Sequence, residues 1–324
     1  MKTRKLGWTD LELSEVGLGT WAHGGGAWRY GWGPQDDADS IAAIRRAIEL
    51  GVNWIDTAAV YGLGHAEEVL GRALEGVRPR PIVATKCGRI GEPDGSLRSE
   101  LRSDSIVAEC EASLRRLRVE VIDLYQVHWP DPEPLIEEAW AAIDALRRQG
   151  KVRYAGVSNF DAAHIARATA VARVASLQPP YSMLRRGIEE GLLAHCAENA
   201  IGVVTYSPLQ KGLLSGRLSV ERAARFPPDD HRRGDPMFQP PQLAVNLRLV
   251  DRLRPLAARG DRSVAQLAIA WVLRRREITS AIVGARSARQ VEELLSARSW
   301  DLEPEDAAEI DELLAQRQGE MGLG

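Results

Sequence analysis

The chain has 324 residues, a formal net charge of −3, 44% hydrophobic residues and 27% charged residues, the balance of an ordinary globular protein. The near-neutral charge lacks the basic footprint of a nucleic-acid binder, and no apolar run approaches the ~18 residues of a membrane span. Cys87, Cys110 and Cys196 stand far apart with no CxxC, and the N-terminus has basic residues without an apolar signal core, which argues against a disulfide scaffold, a zinc site or secretion and fits a reduced cytoplasm.

In chain order, Lys2–Leu6 and Leu11–Ser14 flank the turn Gly7-Trp8-Thr9-Asp10 and predict a hairpin. Val16–Leu18 follows as a strand. Ala22–Asp36 is a long stretch mixing glycines with Trp28, Tyr30 and Trp32. A helix begins at about Asp37, carries Ile41, Ile44 and Ile48 at helical spacing, and stops at Gly51. Val52–Asp56 and Ile82–Lys86 are strands. Helix Ser103–Leu117 places Ile106, Cys110, Leu114 and Leu117 on one face, ahead of strand Val121–Val127. The helix–Gly–strand order recurs at Gly150, before Val152–Val157, whose core is Tyr154–Val157. Ser176–Gln178, Gly202–Tyr206 and Ala281–Val283 complete the strands. Arg217–Pro240 is a second long stretch, containing Pro227-Pro228, Asp229-Asp230 and His231-Arg232-Arg233. Loops of this length are commonly lids or binding loops. The tail Gln316–Gly324 reads as frayed.

Eight strands alternating with helical patterns predict a parallel sheet closed as a (β/α)8 TIM barrel. The rival is an open doubly wound sheet, which needs GxGxxG after its first strand. Gly24-Gly25-Gly26 lacks that spacing, and the next helix starts too late.

Chemistry in such a barrel gathers at the C-terminal ends of the strands. The apolar runs there end in Asp56, Lys86, His128, Ser158-Asn159, Gln178 and Tyr206-Ser207, with Tyr61 in the loop after Asp56. Taken singly, each has a bland reading: a strand-end Asp caps a turn, a lone His is structural, a lone Lys is solvated. Their recurrence at successive strand ends makes all of them converge on one mouth. A Tyr near pKa 10 is a poor acid. A neighbouring Lys cation stabilises its phenolate, and that Lys needs a carboxylate to stay charged when buried. Asp56, Lys86 and Tyr61 supply those three parts. His128 can donate a hydrogen bond to a substrate oxygen. A proton donor beside a polarised oxygen suits carbonyl reduction, with hydride from a cofactor.

The ordered set Gly17-Leu18-Gly19-Thr20-Trp21, Asn53-Trp54-Ile55-Asp56-Thr57-Ala58 with Tyr61-Gly62, Ala84-Thr85-Lys86, Gln126-Val127-His128-Trp129-Pro130, Gly156-Val157-Ser158-Asn159-Phe160, Gln178-Pro179-Pro180-Tyr181-Ser182, Tyr206-Ser207-Pro208-Leu209 and Ile282-Val283-Gly284-Ala285-Arg286 resembles the aldo-keto reductase superfamily. The likeness is strongest to its bacterial, potassium-channel-β-like group and covers residues 1–324 as one barrel domain. It implies a catalytic tetrad of Asp56, Tyr61, Lys86 and His128, in which Lys86 lowers the pKa of Tyr61. It implies an extended nicotinamide cofactor bordered by Gly19, Thr20, Trp21 and Asp56. Tyr206 would stack on its ring, and Ser158, Asn159 and Gln178 would hold its carboxamide. Ser207, Pro208, Leu209, Lys211, Gly212 and Leu213 would line the pyrophosphate path, and Gly284, Arg286, Ser287, Gln290 and Glu293 the adenosine end. Arg286 favours NADPH over NADH, because a guanidinium binds a 2′-phosphate in a bidentate way. The family often has Asn after the residue matching Glu293; this chain has Leu294, so that adenine contact is lost. Trp21, Trp28 and Trp129 are expected in the substrate pocket, with Tyr30 and Trp32 nearby.

The leading expectation is an NADPH-dependent reductase of a small aldehyde or ketone, cytoplasmic, with no metal, nucleic-acid or membrane partner. A nicotinamide-binding redox-sensing subunit with little turnover is the second reading. A Schiff-base lyase using Lys86 is the third, opposed by Asp56, which keeps that lysine charged.

Overall fold

The structure is a computed structural model that describes residues 1–26, 28, 30–92, 94–227, 230–297 and 301–322. The expected hairpin forms from β1 (Thr3–Lys5) and β2 (Glu12–Ser14). Among the described residues, eight further strands close a barrel: β3 (Val16–Gly19), β4 (Trp54–Asp56), β5 (Ile82–Cys87), β8 (Ile122–Val127), β9 (Val152–Ser158), β10 (Ser176–Gln178), β11 (Gly202–Tyr206) and β12 (Ile278–Gly284). They neighbour one another in sequence order, all parallel, and β12 returns to β3. A short antiparallel pair, β6 (Arg89–Gly91) and β7 (Leu97–Ser99), follows β5 and went unread in the sequence. Closure leaves the barrel itself without a sheet edge.

The outer layer begins with α1 (Asp37–Glu49), capped by the Asp36 carboxylate, which accepts from Ala38 N at 2.7 Å and Asp39 N at 3.2 Å. It continues with α2 (His65–Ala73), α3 (Ser103–Leu117), α4 (Ile136–Arg148), α5 (Ala162–Val171), α6 (Leu192–Glu198), the short α7 (Val220–Ala224), α8 (Gln242–Arg259), α9 (Val264–Leu273), α10 (Ala288–Leu295) and α11 (Pro304–Glu320). None of the described helices is long and apolar enough to cross a membrane.

The period-two alternation of the strands decides what faces where. Ile55, Val83, Tyr125, Val203 and Val283 point outward into the helix-packed core. Trp54, Ala84, Leu124, Val204 and Ile282 point inward and pack with Leu6, Leu11 and Leu13 of the hairpin. The hairpin thereby plugs the N-terminal end of the barrel. Trp54 fills it so fully that a Cβ on Gly17 would lie 2.2 Å from its ring. Two residues further along the same inward rows stand Asp56, Lys86, Gln126 and Tyr206, which places the polar groups at the open end.

Several boundaries move for identifiable reasons. The strand expected from Val52 starts at Trp54, because the Asn53 side chain is bound to the hairpin, accepting from Ser14 N and donating to Glu12 O, both at 2.8 Å. The tail expected to fray from Gln316 is helical to Glu320: the buried Arg317 donates to Asn246 Oδ1 at 2.7 Å, and Glu320 pairs with Arg248 and Arg252; Leu323 and Gly324 lie outside the described residues. The stretch 217–240 holds α7 and two 3-10 turns, and its Phe226 and Phe238 pack with Leu213 and Leu243 in a small core. Its Pro228 and Asp229, like Ala27 and Arg29 of the stretch 22–36, lie outside the described residues.

Candidate active site

Lys86 is the centre of the polar cluster and is 1% exposed. Its ammonium donates to Asp56 Oδ1 at 2.6 Å, to Thr57 O at 2.9 Å and to Tyr61 Oη at 3.4 Å. Three acceptors satisfy its three donors. The second Asp56 oxygen accepts from Gln178 Nε2 at 2.7 Å. The same strand ends form a second chain: Ser158 Oγ donates to Gln178 O (2.9 Å), Asn159 Nδ2 to His128 O (2.9 Å), and Tyr206 Oη to Asn159 Oδ1 (2.8 Å). The structure thus brings together all four residues of the expected tetrad and the four expected to hold a nicotinamide.

Tyr61 is aimed by a tight backbone crossing. Gly62 has φ +61°, and a Cβ there would lie 2.1 Å from Gly24 O. Only glycine permits this approach. It holds the Tyr61 ring against Trp21 (centroids 6.3 Å apart, nearly parallel) and Trp28 (6.1 Å), with His128 edge-on at 6.0 Å.

Burial dominates the electrostatics. It pushes the Tyr61 phenol well above its ordinary value, and the Asp56 charge adds to this. The expected depression by Lys86 therefore does not win: Tyr61 is held as a neutral acid. Burial also lowers Lys86, opposed by Asp56. Burial, then Lys86 and Arg89, hold His128 well below the usual imidazole range. Near neutral pH the site presents a phenol and a neutral imidazole, both able to donate toward an oxygen that gains negative charge, while Lys86, its three donors already taken, stands behind the phenol.

Above this cluster opens a cavity of about 1360 Å³, larger than a small-molecule pocket needs. One end is walled by Trp21, Trp28, Tyr30, Trp32, Trp129 and His128; the other by Gly284, Arg286, Gln290, Glu293 and Leu294. Gly19, Ser158, Asn159, Gln178, Tyr206, Ser207, Pro208, Leu209, Lys211 and Gly212 line the run between. Ser207, Lys211 and Gly212 all have positive φ, and turns of this kind aim backbone N–H groups at anions. The volume, the cationic far end and these turns fit an extended dinucleotide.

Four expected residues do not line the cavity, Lys86 among them, buried behind Asp56 and Tyr61. Thr20 is buried and donates to Asp56 O at 3.2 Å; Leu213 belongs to the small core under the loop 217–240; Ser287 caps α10 by accepting from Gln290 N at 3.3 Å. His231, read in the sequence only as part of the second long stretch, also lines the cavity. It stacks on Trp21 at 5.1 Å and meets Trp32 edge-on at 4.8 Å, which closes one long loop over the other.

A closed parallel barrel with a buried carboxylate–ammonium–phenol cluster at its C-terminal mouth defines an enzyme built for proton transfer. The model of the Aldo/keto reductase family matches residues 15–315. The chain is 40% identical to aldo-keto reductase YhdN of Bacillus subtilis (94% of this chain, 91% of the relative) and 36% identical to the NADH-specific methylglyoxal reductase of Escherichia coli (97% and 98%). Among solved structures it is similar to the glycerol dehydrogenase AKR11B4 of Gluconobacter oxydans, with TM-score 0.88, 38% identity, and 98% and 96% of the two chains covered. It also matches the holo form of aldo-keto reductase AKR11C1 of Bacillus halodurans, with TM-score 0.80, 28% identity, and 97% and 96% covered. The chain belongs to the aldo/keto reductase family and is an oxidoreductase of that kind, using a nicotinamide cofactor on small carbonyl compounds.

Proposed function

We propose that this chain is an NADPH-dependent reductase that turns a small aldehyde or ketone into the alcohol, with Tyr61 as the proton donor. The observation that carries the reading is the Asp56–Lys86–Tyr61 chain, 2.6 and 3.4 Å at its two links, at the floor of a cavity of about 1360 Å³, roomy enough for a dinucleotide. A bound reduced nicotinamide supplies the hydride. The chain's own residues do the rest. His128, neutral, donates a hydrogen bond to the carbonyl oxygen and orients it. As the C=O π pair moves onto that oxygen, it takes the proton of Tyr61. The phenolate left behind is stabilised by the Lys86 ammonium, which Asp56 keeps charged, and is reprotonated from solvent. Trp21, Trp28 and Trp129 exclude water around the reacting carbon. The reverse steps oxidise an alcohol.

Relatives named for methylglyoxal reduction and for glycerol oxidation support a small, oxygen-rich substrate. The phosphorylated cofactor is favoured by Arg286, whose guanidinium faces the far end of the cavity. The NADH-specific relative marks the alternative. Tyr61→Phe tests the assignment: turnover should fall by roughly 10²–10⁴-fold while cofactor affinity, read by tryptophan fluorescence, stays close to that of the parent. Unchanged turnover would sink it.

A further inference from the structure

Arg286 is held in an unusual way. Its Nε donates to Gln35 Oε1 at 2.6 Å, Nη1 to Trp32 O at 3.0 Å, and Nη2 to Pro34 O. Gln35 answers with its own amide, which donates to Arg286 O at 2.9 Å and to Ser40 Oγ at 3.0 Å. All three acceptors of the guanidinium are neutral, and among the described residues no carboxylate forms an ion pair with it. The neighbouring Asp230 is bound to Arg232 at 2.6 Å. A guanidinium has five N–H donors, so two remain free. The positive charge is fixed in space, half-buried and not neutralised.

The segment that fixes it is the end of the loop 22–36. The same loop carries Trp28, Tyr30 and Trp32, which wall the carbonyl end of the cavity. The Trp32 ring packs against Trp21 at 5.4 Å and lies 4.8 Å from the Arg232 guanidinium. The aromatic wall and the cationic far end are therefore parts of one hydrogen-bonded unit, joined through the Gln35 side chain and the carbonyls of Trp32 and Pro34.

Building on the reductase reading, we propose that Gln35 is a positioning residue for the coenzyme 2′-phosphate, latching the aromatic wall of the substrate pocket to Arg286. The phosphate takes the two free N–H groups without displacing the loop, and it locks the guanidinium in the pose the loop requires. Phosphate binding and seating of the wall reinforce each other. By reciprocity, the seated wall tightens the phosphorylated coenzyme by the same factor. The coenzyme chosen thus sets the affinity for the carbonyl.

The experiment compares the parent, Gln35→Leu and Gln35→Glu in tryptophan-fluorescence titrations with NADPH and with NADH. It is paired with KM for a neutral aldehyde at saturating levels of each coenzyme. Gln35→Leu should weaken NADPH roughly five- to tenfold and leave NADH unchanged. Gln35→Glu places a carboxylate on the guanidinium, cancels its charge and should weaken NADPH further, again without effect on NADH. The parent should show a lower aldehyde KM with NADPH than with NADH, a difference that Gln35→Leu abolishes. The retained NADH affinity shows that each variant is folded. Parallel loss of both coenzymes, or unchanged NADPH affinity in Gln35→Leu, overturns the inference and leaves the reductase reading standing. Failure of the parent to bind either coenzyme overturns both.

Discussion

Asp56→Asn tests the centre of the site with a magnitude that can be worked out in advance. Lys86 is buried, and among the described residues Asp56 is the one carboxylate that forms an ion pair with it. The substitution keeps the shape but removes the charge, and it sets an amide NH2 against Gln178 Nε2, where the second carboxylate oxygen accepted. The ammonium is then a buried, uncompensated cation. The protein escapes that cost by releasing the proton, so the loss cannot exceed the cost of neutralising a lysine whose ordinary value is 10.5. At about 1.36 kcal/mol per pH unit this ceiling is about 5 kcal/mol at pH 7 and about 2 kcal/mol at pH 9. Removing one partner of a buried ion pair typically costs about 3–5 kcal/mol, in agreement with the ceiling at neutral pH. Between the depressed native value and 10.5 the unfolded chain binds the extra proton, so the variant gains stability as pH rises. Urea denaturation of variant and parent at pH 7, 8 and 9 should show the difference shrinking as pH rises, by at most about 1.4 kcal/mol per unit. A difference that is constant with pH, or below about 1 kcal/mol at pH 7, would refute the argument that Asp56 keeps Lys86 charged.

Gly62→Ala should cost at least about 2 kcal/mol, from a left-handed backbone and a Cβ driven into Gly24 O, and should lower turnover through the adjacent Tyr61. Gly76→Ala is the control: its φ is +76° but nothing lies within 4 Å, so only the conformational part, about 1 kcal/mol, is expected. Equal losses in thermal or urea denaturation would contradict the crossing as the device that aims Tyr61. Glu109 lies behind β5, where burial raises its carboxyl from the ordinary 4.5 to about 7, and it accepts from Gly88 N at 3.1 and 3.2 Å. The native state holds that proton more tightly than the unfolded chain between those values, so stability falls as pH rises through the window. Glu109→Gln should leave stability at pH 5 near that of the parent and raise it at pH 8 by up to about 3 kcal/mol. A variant less stable than the parent at pH 8 would show that the carboxylate's bonds to Gly88 outweigh its burial.

The amino-acid sequence by itself determined whatever repeats along a strand. Alternation in Trp54-Ile55-Asp56 or Ala84-Thr85-Lys86 is local: once a residue faces the core, the next but one faces it too. The eight strands, the barrel and the polar groups at its mouth could therefore be read before any coordinates; the expectation that Asp56, Tyr61, Lys86 and His128 act as a tetrad came from the resemblance. Boundaries moved where a partner distant in sequence intervened, as Asn53 bound to the hairpin and Arg317 bound to Asn246. Contacts across the mouth had no local signal. His231 over Trp21, and Gln35 on Arg286, join loops that meet only because the barrel closes and brings β3 beside β12. The protonation of Tyr61 was decided by tertiary structure as well. Its neighbours predict a lowered pKa, but how far the phenol is cut off from water depends on Trp21, Trp28 and His128 packing around it. Desolvation there outweighs the lysine.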